Sequence, residues 1–495
     1  VGATVNPSSN WGDTTQVINY LRGDRSLEGG TFRTRTSLLG AVINAEPAIS
    51  RDEGVAYLAS GEGMLHAFDT RDEQGKELWA YVPRQVLPDL GQTTARAYSF
   101  KTQLDGTPVV GKSGSSSKLL VAGMGAAGRG YYAIDVTNPR HTSESAVAGA
   151  VRWEFPAAGD ATLQAKVGQT LGRPSIIRLT TGAYAVLVTS GVNNTHDGKG
   201  RLWILDANTG AVLHEFTTPD GALGAESGLT HVSPFVEGDG AVRYAFGGDL
   251  LGNVWRFDLV TRPAAPDKVA ILKGPTGSLQ PVTAPPELVS WEGKRLILIG
   301  TGRLLDITDF GTTAVQSFYA ISDGTTLSNA RTSLVPITYT RATDTATGAT
   351  VNWTSGRGWY MDLPSTEQMN TRPVVARGAV AFVTNVAGAT DCSASSYLYV
   401  LDLLSGKRYT GAQFVGTQIS ATANSSGLNA LLTSGSGGNG CTGPTCPPPP
   451  PPGGDPDCQH IVGTYQTSDG KAGYRDITSC VNITPRKNAW REIRR

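Results

Sequence analysis

One phrase keeps returning along this chain: a short apolar, strand-like stretch that closes on aspartate. It reads MLHAFD to Asp69, GYYAID to Asp135, RLWILD to Asp206, NVWRFD to Asp258, SFYAISD to Asp323, GWYMD to Asp362 and YLYVLD to Asp402. A second apolar stretch precedes most copies, as in EGVAYLASGEG (53–63), AYAVLVTSGVNN (183–194) and RGAVAFVTNV (377–386). Together the two make a hairpin, in which the Asp side chain caps the next turn and a following Gly supplies positive φ. A four-stranded meander cannot bury both of its faces alone, so such units must stack. The aspartates are 66, 71, 52, 65, 39 and 40 residues apart. The last two spacings match a propeller blade of about 40–50 residues, and the longer ones imply loop insertions. The expected fold is all-β: a seven-bladed β-propeller with long loop insertions and a short C-terminal tail, in preference to a β-sandwich.

Composition narrows the partners. The 495 residues exceed what one ordinary compact core supports, which suits either several domains or one repeat-built domain. Lys and Arg number 42, as do Asp and Glu, with no block of one sign, so no electrostatic case exists for nucleic acid or an anionic membrane. No apolar run reaches the roughly 20 residues of a membrane helix. The opening VGATVNPSSNWGD lacks the basic start and apolar core of a signal peptide. Four segments are expected: a lead-in at 1–45, the propeller at 46–423, a Gly/Ser/Pro-rich linker at 424–457 and a tail at 458–495. The linker includes the run Pro447 to Pro452, which favours a stiff polyproline spacer. The tail reads as strands that pair with a blade edge or, alternatively, are donated to a partner.

Candidate chemistry is sparse. Cys441, Cys446, Cys458 and Cys480 lie around the proline run at spacings that fit no zinc pattern, so local disulfides are expected, with Cys392 left over. Gly123-x-Gly125-x-x-Gly128 has the outline of a dinucleotide fingerprint, but a strand follows it where a phosphate site needs a helix. The six histidines are scattered singly. The stretches GKELWAYVP (75–83) and DANTG (206–210) are similar to repeats of quinoprotein dehydrogenases. Against a periplasmic enzyme of that kind stand the lack of adjacent cysteines and of a regular Trp clamping blade to blade. No catalytic residues are assigned. Arg22-Gly23-Asp24, within YLRGDRS, is either an adhesive tripeptide or an ordinary turn, in which Asp24 caps and Arg22 or Arg25 pairs with an acid.

Longer motifs resemble one family. YLRGDRS (20–26), FRTRTSLLGAVINAEPAI (32–49), GMGAAGRGYYAIDVT (123–137), AFGGDLLGNVWRFDL (245–259), IGTGRLLDITDF (299–310) and AWREIRR (489–495) are similar to the C-terminal part of the PilY/PilC proteins of bacterial type IV pili. The resemblance implies a modified seven-bladed propeller and a non-enzymatic role. It implies export to the outer-membrane surface, the pilus tip or the medium. It also implies support of pilus extension against retraction, with adhesion and twitching motility. The partners implied are minor pilins at the tip and a host-cell receptor, for which Arg22, Gly23 and Asp24 are the candidate contacts. The family's N-terminal part, often with a von Willebrand factor A-like domain, has no counterpart in this sequence. Family members also carry a calcium loop ahead of the Gly-Asp-Leu strand. Here the matching stretch, SPFVEGDGAVRYAFGGDL (233–250), is short, keeps only Glu237 and Asp239, and has Arg243 at the closing position. Calcium needs several converging oxygens, so no cofactor is expected there. The loop NNTHDGKG (193–200), with Asn193, Asn194 and Asp197, is read as hairpin chemistry.

Overall fold

The computed structural model describes residues 13–72, 74–388, 393–434, 459–469 and 471–477. The five cysteines and the run Pro447 to Pro452 lie outside them. The chain is all-β, with seven sheets among the described residues. The first is an antiparallel meander of Ala48–Ser50, Val55–Ser60, Met64–Asp69 and Glu77–Tyr81. Meanders of four strands recur at 109–155, 175–217, 231–271 and 374–420. Two compact units result. One holds the lead-in and the first three sheets with residues 236–243 and 258–265; the other holds the rest of the fourth sheet and all that follows.

The strand phrase explains these meanders residue by residue. In the first sheet Tyr57 faces Ala67 and Ala59 faces Leu65, all fully buried, so two alternating strands supply one apolar face. The closing aspartates then cap turns. Asp69 accepts from the Arg71 N–H at 2.9 Å, Asp135 from Thr137 at 2.9 Å, Asp258 from Val260 at 2.9 Å and Asp402 from Ser405 at 2.8 Å. Asp206 accepts from both Asn208 and Thr209, at 3.0 and 2.9 Å.

The assignment of one repeat phrase to each sheet needs correction. Asp323 and Asp362 close neighbouring strands of one sheet, Ser317–Ser322 and Gly358–Asp362. Between them the chain adds a hairpin, Val335–Thr340 with Thr345–Gly348, whose first strand runs parallel to Gly358–Asp362. This makes a six-stranded fifth sheet at 287–362, so seven phrases fill six sheets. The phrase marks a strand ending in Asp, not its place in a sheet. These two aspartates also cap no turn of the expected kind. Asp323 takes Arg256 and Arg295 at 3.0 and 2.7 Å, and Asp362 takes Arg331 at 2.5 Å.

The seventh sheet comes from the tail. Ser425–Ser434 pairs with Gln459–Thr467, which pairs with Ala472–Asp476. The first ten residues expected as linker are therefore mostly a strand, and the tail builds its own sheet instead of covering a blade edge. Leu428, Ile461 and Ile477 pack on Ala379, Ala381, Val383, Leu398 and Val400 of the sixth sheet. That face is apolar, and leaving it in water would be costly.

A tryptophan clamp, which the repeats did not reveal, ties sheets together. Trp79 Nε1 donates to the Pro139 carbonyl at 2.7 Å, Trp153 to Ala207 at 2.9 Å and Trp359 to Leu403 at 3.0 Å. Each acceptor follows the closing Asp of the next sheet. In the third sheet His214 takes this place, its Nε2 lying 3.0 Å from the Pro263 carbonyl. Trp79, Trp153 and His214 stand opposite Ala67, Ala133 and Ile204, always two residues before the Asp. One stagger thus positions three clamps, although the residue type changes.

Candidate functional site

The Arg-Gly-Asp tripeptide terminates a helix. Thr14–Leu21 begins at Asp13, whose side chain accepts from the Gln16 N–H at 3.0 Å. At its end the Asp24 N–H donates to the Asn19 carbonyl at 3.0 Å and the Gly23 N–H to the Tyr20 carbonyl at 2.9 Å. This is a Schellman cap, and Gly23 sits at φ +106°, a conformation that costs glycine little. The Asp24 carboxylate accepts from the Ser26 N–H at 2.8 Å, which holds its pKa below the ordinary value. Arg22 is exposed and pairs with exposed Glu144 at 2.8 Å, a contact of small energetic weight. Buried Arg35 secures the turn from beneath. It donates to the Tyr20 and Asp24 carbonyls at 2.7 and 2.9 Å, pairs with Glu28 at 2.7 Å and stacks on Tyr20 at 3.7 Å. The side chains of Arg22 and Asp24 therefore reach solvent from a rigid base.

Glu237 and Asp239 form a tight hairpin between His231–Val236 and Val242–Gly248. The Gly240 N–H donates to the Glu237 carbonyl at 2.8 Å, with Gly240 at φ +79°. One Asp239 oxygen accepts from the Ala241 N–H at 2.9 Å and the other meets Arg243 at 3.2 Å. The closing Arg243 thus supplies the positive charge that a cation would bring. In the loop 193–200, buried Asn194 accepts from the Gly198 N–H at 3.1 Å and donates to the Lys199 carbonyl at 3.0 Å. Asp197 is bound to buried Arg201 at 2.5 Å, which lowers its pKa to about 2. No group of three His, Cys, Asp or Glu side chains converges as metal ligands among the described residues.

The most conspicuous buried charge in the Gly-Asp-Leu strand is Asp249, fully buried. It accepts from the Leu251 and Asn253 N–H groups at 3.0 and 2.8 Å, from Asn253 Nδ2 at 3.0 Å and from Trp255 Nε1 at 2.8 Å. In the motif Gly-Asp-Leu-Leu-Gly-Asn-Val-Trp, Asn253 and Trp255 therefore both serve the Asp.

Two further clusters escaped sequence reading. His66 is buried, with Nδ1 2.6 Å from Glu77 and Nε2 2.9 Å from Ser60 and 3.4 Å from Glu62. Burial disfavours the charged ring, but the two carboxylates outweigh it and raise the pKa to about 9. Glu367, also buried, accepts from Thr384 and Tyr399 at 2.5 and 2.8 Å and pairs with Arg341; burial still raises its pKa. In MLHAFD His66 lies on the strand face opposite Leu65 and Ala67, and its acids come from a turn and from a neighbouring strand. Both clusters hold strands together, and neither offers a nucleophile beside a base in an open cleft.

The comparisons with known proteins agree with one another. The family model of the PilY1 β-propeller domain matches residues 40–345. A type IV pilus biogenesis factor PilY1 homolog of Xylella fastidiosa is 29% identical over 484 residues, covering 82% of this chain and 32% of that protein. The PilY1 of Pseudomonas aeruginosa strain PAK is 28% identical, covering 79% of this chain and 40% of that protein. The chain thus spans 32% to 40% of the length of these relatives. Among solved structures, the C-terminal domain of Pseudomonas aeruginosa PilY1 superposes with a TM-score of 0.62 at 21% identity, over 86% of this chain and 92% of that domain. That likeness establishes the propeller-type fold.

Proposed function

Because the chain belongs to the PilY1 β-propeller family, we propose that it is the propeller region of a type IV pilus biogenesis factor, acting through binding surfaces and without catalysis. The observation that carries this reading is the match over residues 40–345. In this reading the seven sheets are the blades, the three-stranded tail sheet being the last. The protein is exported and works at the pilus tip, where minor pilins are its partners and extension is favoured over retraction. The described residues contain no helix long and apolar enough to cross a membrane. Deleting the gene and scoring surface pili and twitching tests the proposal. Loss of both, restored by complementation, is expected, and normal piliation and motility would refute it. A pull-down with minor pilins then identifies the partner.

Adhesion is the second role we propose. Exposed Arg22 and Asp24 on a fixed base suit a receptor contact, and Asp24→Ala should reduce host-cell binding without changing the melting temperature. Equal binding by the variant removes the tripeptide from that role. We further propose that the 236–243 hairpin holds no calcium, since Arg243 already engages Asp239; a calorimetric titration showing a micromolar site that vanishes on Asp239→Ala would contradict this. The docked tryptophans remove one objection to a quinoprotein dehydrogenase, while the lack of adjacent cysteines in the sequence remains. Turnover with pyrroloquinoline quinone and a dye acceptor is the result that would favour the enzyme.

A further inference from the structure

Six of the seven sheets have four strands or more, and the tail sheet has three. Its last strand, Ala472–Asp476, pairs only with Gln459–Thr467, so its other edge is open among the described residues. The last strand of the sixth sheet, Gly416–Ser420, is likewise paired on one side. The Gln413 N–H ties the two regions by donating to the Ile477 carbonyl at 3.4 Å. Residues of both regions line two open hollows of about 410 and 280 Å³.

The larger hollow is lined by Gln413, Phe414, Thr417, Tyr474 and Arg475, with no acid. Gly463 faces Arg475 and Tyr465 faces Gly473, and cross-strand partners share a face. Tyr465, Ile461 and Ile477 on that face pack toward the sixth sheet. Arg475 therefore stands at the hollow, exposed, with an amide and a hydroxyl beside it and two aromatic walls. Next to it, Ala472 and Gly473 leave the strand edge free of bulk.

We propose that this edge accepts an extended segment of a partner protein as the fourth strand of the tail sheet, with an aspartate or glutamate of that segment meeting Arg475. Main-chain hydrogen bonds to an open edge supply affinity, and alternate side chains supply selectivity. A guanidinium is suited to a carboxylate because its fork can bind both oxygens. Gln413 and Thr417 offer further donors, and Phe414 and Tyr474 flank the acid with apolar surface.

The test uses the whole chain and a fluorescein-labelled peptide of alternating Thr and Val with one central Glu, ended by lysines for solubility. Saturable anisotropy and new hydrogen-exchange protection at 472–476 are expected. Replacing the peptide Glu by Gln, or Arg475→Gln in the protein, should weaken binding about tenfold, the loss of one charged hydrogen-bonded pair. The Arg475→Gln variant should melt like the parent. No binding at millimolar peptide, equal affinity for the Glu and Gln peptides, or protection at 416–420 instead would overturn the proposal. So would an edge already protected in the free chain and exposed by removing 478–495, because the chain's own end would then fill it.

Discussion

Single buried charges make the clearest predictions. His66 has a pKa near 9 in the fold, above the ordinary 6.5. Its stabilisation is fully present below pH 6.5 and is lost as the pH rises through 9. The melting temperature should therefore fall between these limits, and His66→Gln should flatten that slope while lowering stability at pH 6. A unit of pKa shift corresponds to about 1.4 kcal/mol, so an effect on the order of a few kcal/mol is expected. Asp197 works in the opposite direction. Arg201 depresses its pKa to about 2, so its contribution is present above pH 4 and fades only as acid approaches 2. Asp249→Ala strands three backbone and side-chain donors beside the indole of Trp255. Chemical denaturation should show a loss of about 3–5 kcal/mol, as for other buried charges that lose or leave partners.

At the scale of elements, the clamps depend on glycines in the neighbouring turn. Gly210 has φ +70°, and a Cβ there would lie 2.6 Å from the Trp153 ring. Gly182 has φ +89° with nothing within 4 Å. Both alanine variants incur backbone strain, but only Gly210→Ala must also move Trp153. Its loss of stability should exceed that of Gly182→Ala by about 1–3 kcal/mol, the usual range for overpacking. Equal melting temperatures for the two variants would show that the indole yields freely. Trp153→Phe, which keeps the ring and deletes the donor, should cost about 1 kcal/mol.

At the scale of the whole molecule, the tail sheet is part of the fold. Removing residues 425–495 uncovers the apolar face formed by Ala379, Ala381, Val383, Leu398 and Val400. A lower melting temperature and increased binding of a hydrophobic dye are expected, and an unchanged melting curve would show that the sixth sheet stands alone. The sequence by itself determined the all-β class and the strand-to-Asp unit, because alternation and Asp–Gly turn chemistry act over a few residues. It also pointed to the family through GGDLLGNVW, whose polar residues satisfy one another locally. It gave two phrases of one sheet to separate sheets, because Gly358–Asp362 carries the same local phrase as Ser317–Ser322 while an inserted hairpin sits between them in the chain. It read strands in the tail but missed their partner Ser425–Ser434, because a Gly- and Pro-rich stretch that reads as linker separates it from Gln459–Thr467. His214 in the role of a tryptophan, Arg35 beneath the Arg-Gly-Asp turn, and the acids around His66 were decided by tertiary structure alone. Each depends on which carbonyl, ring or carboxylate another turn, strand or loop brings within about 3–4 Å, a distance at which hydrogen bonds and ion pairs act and which the pattern of one strand does not encode.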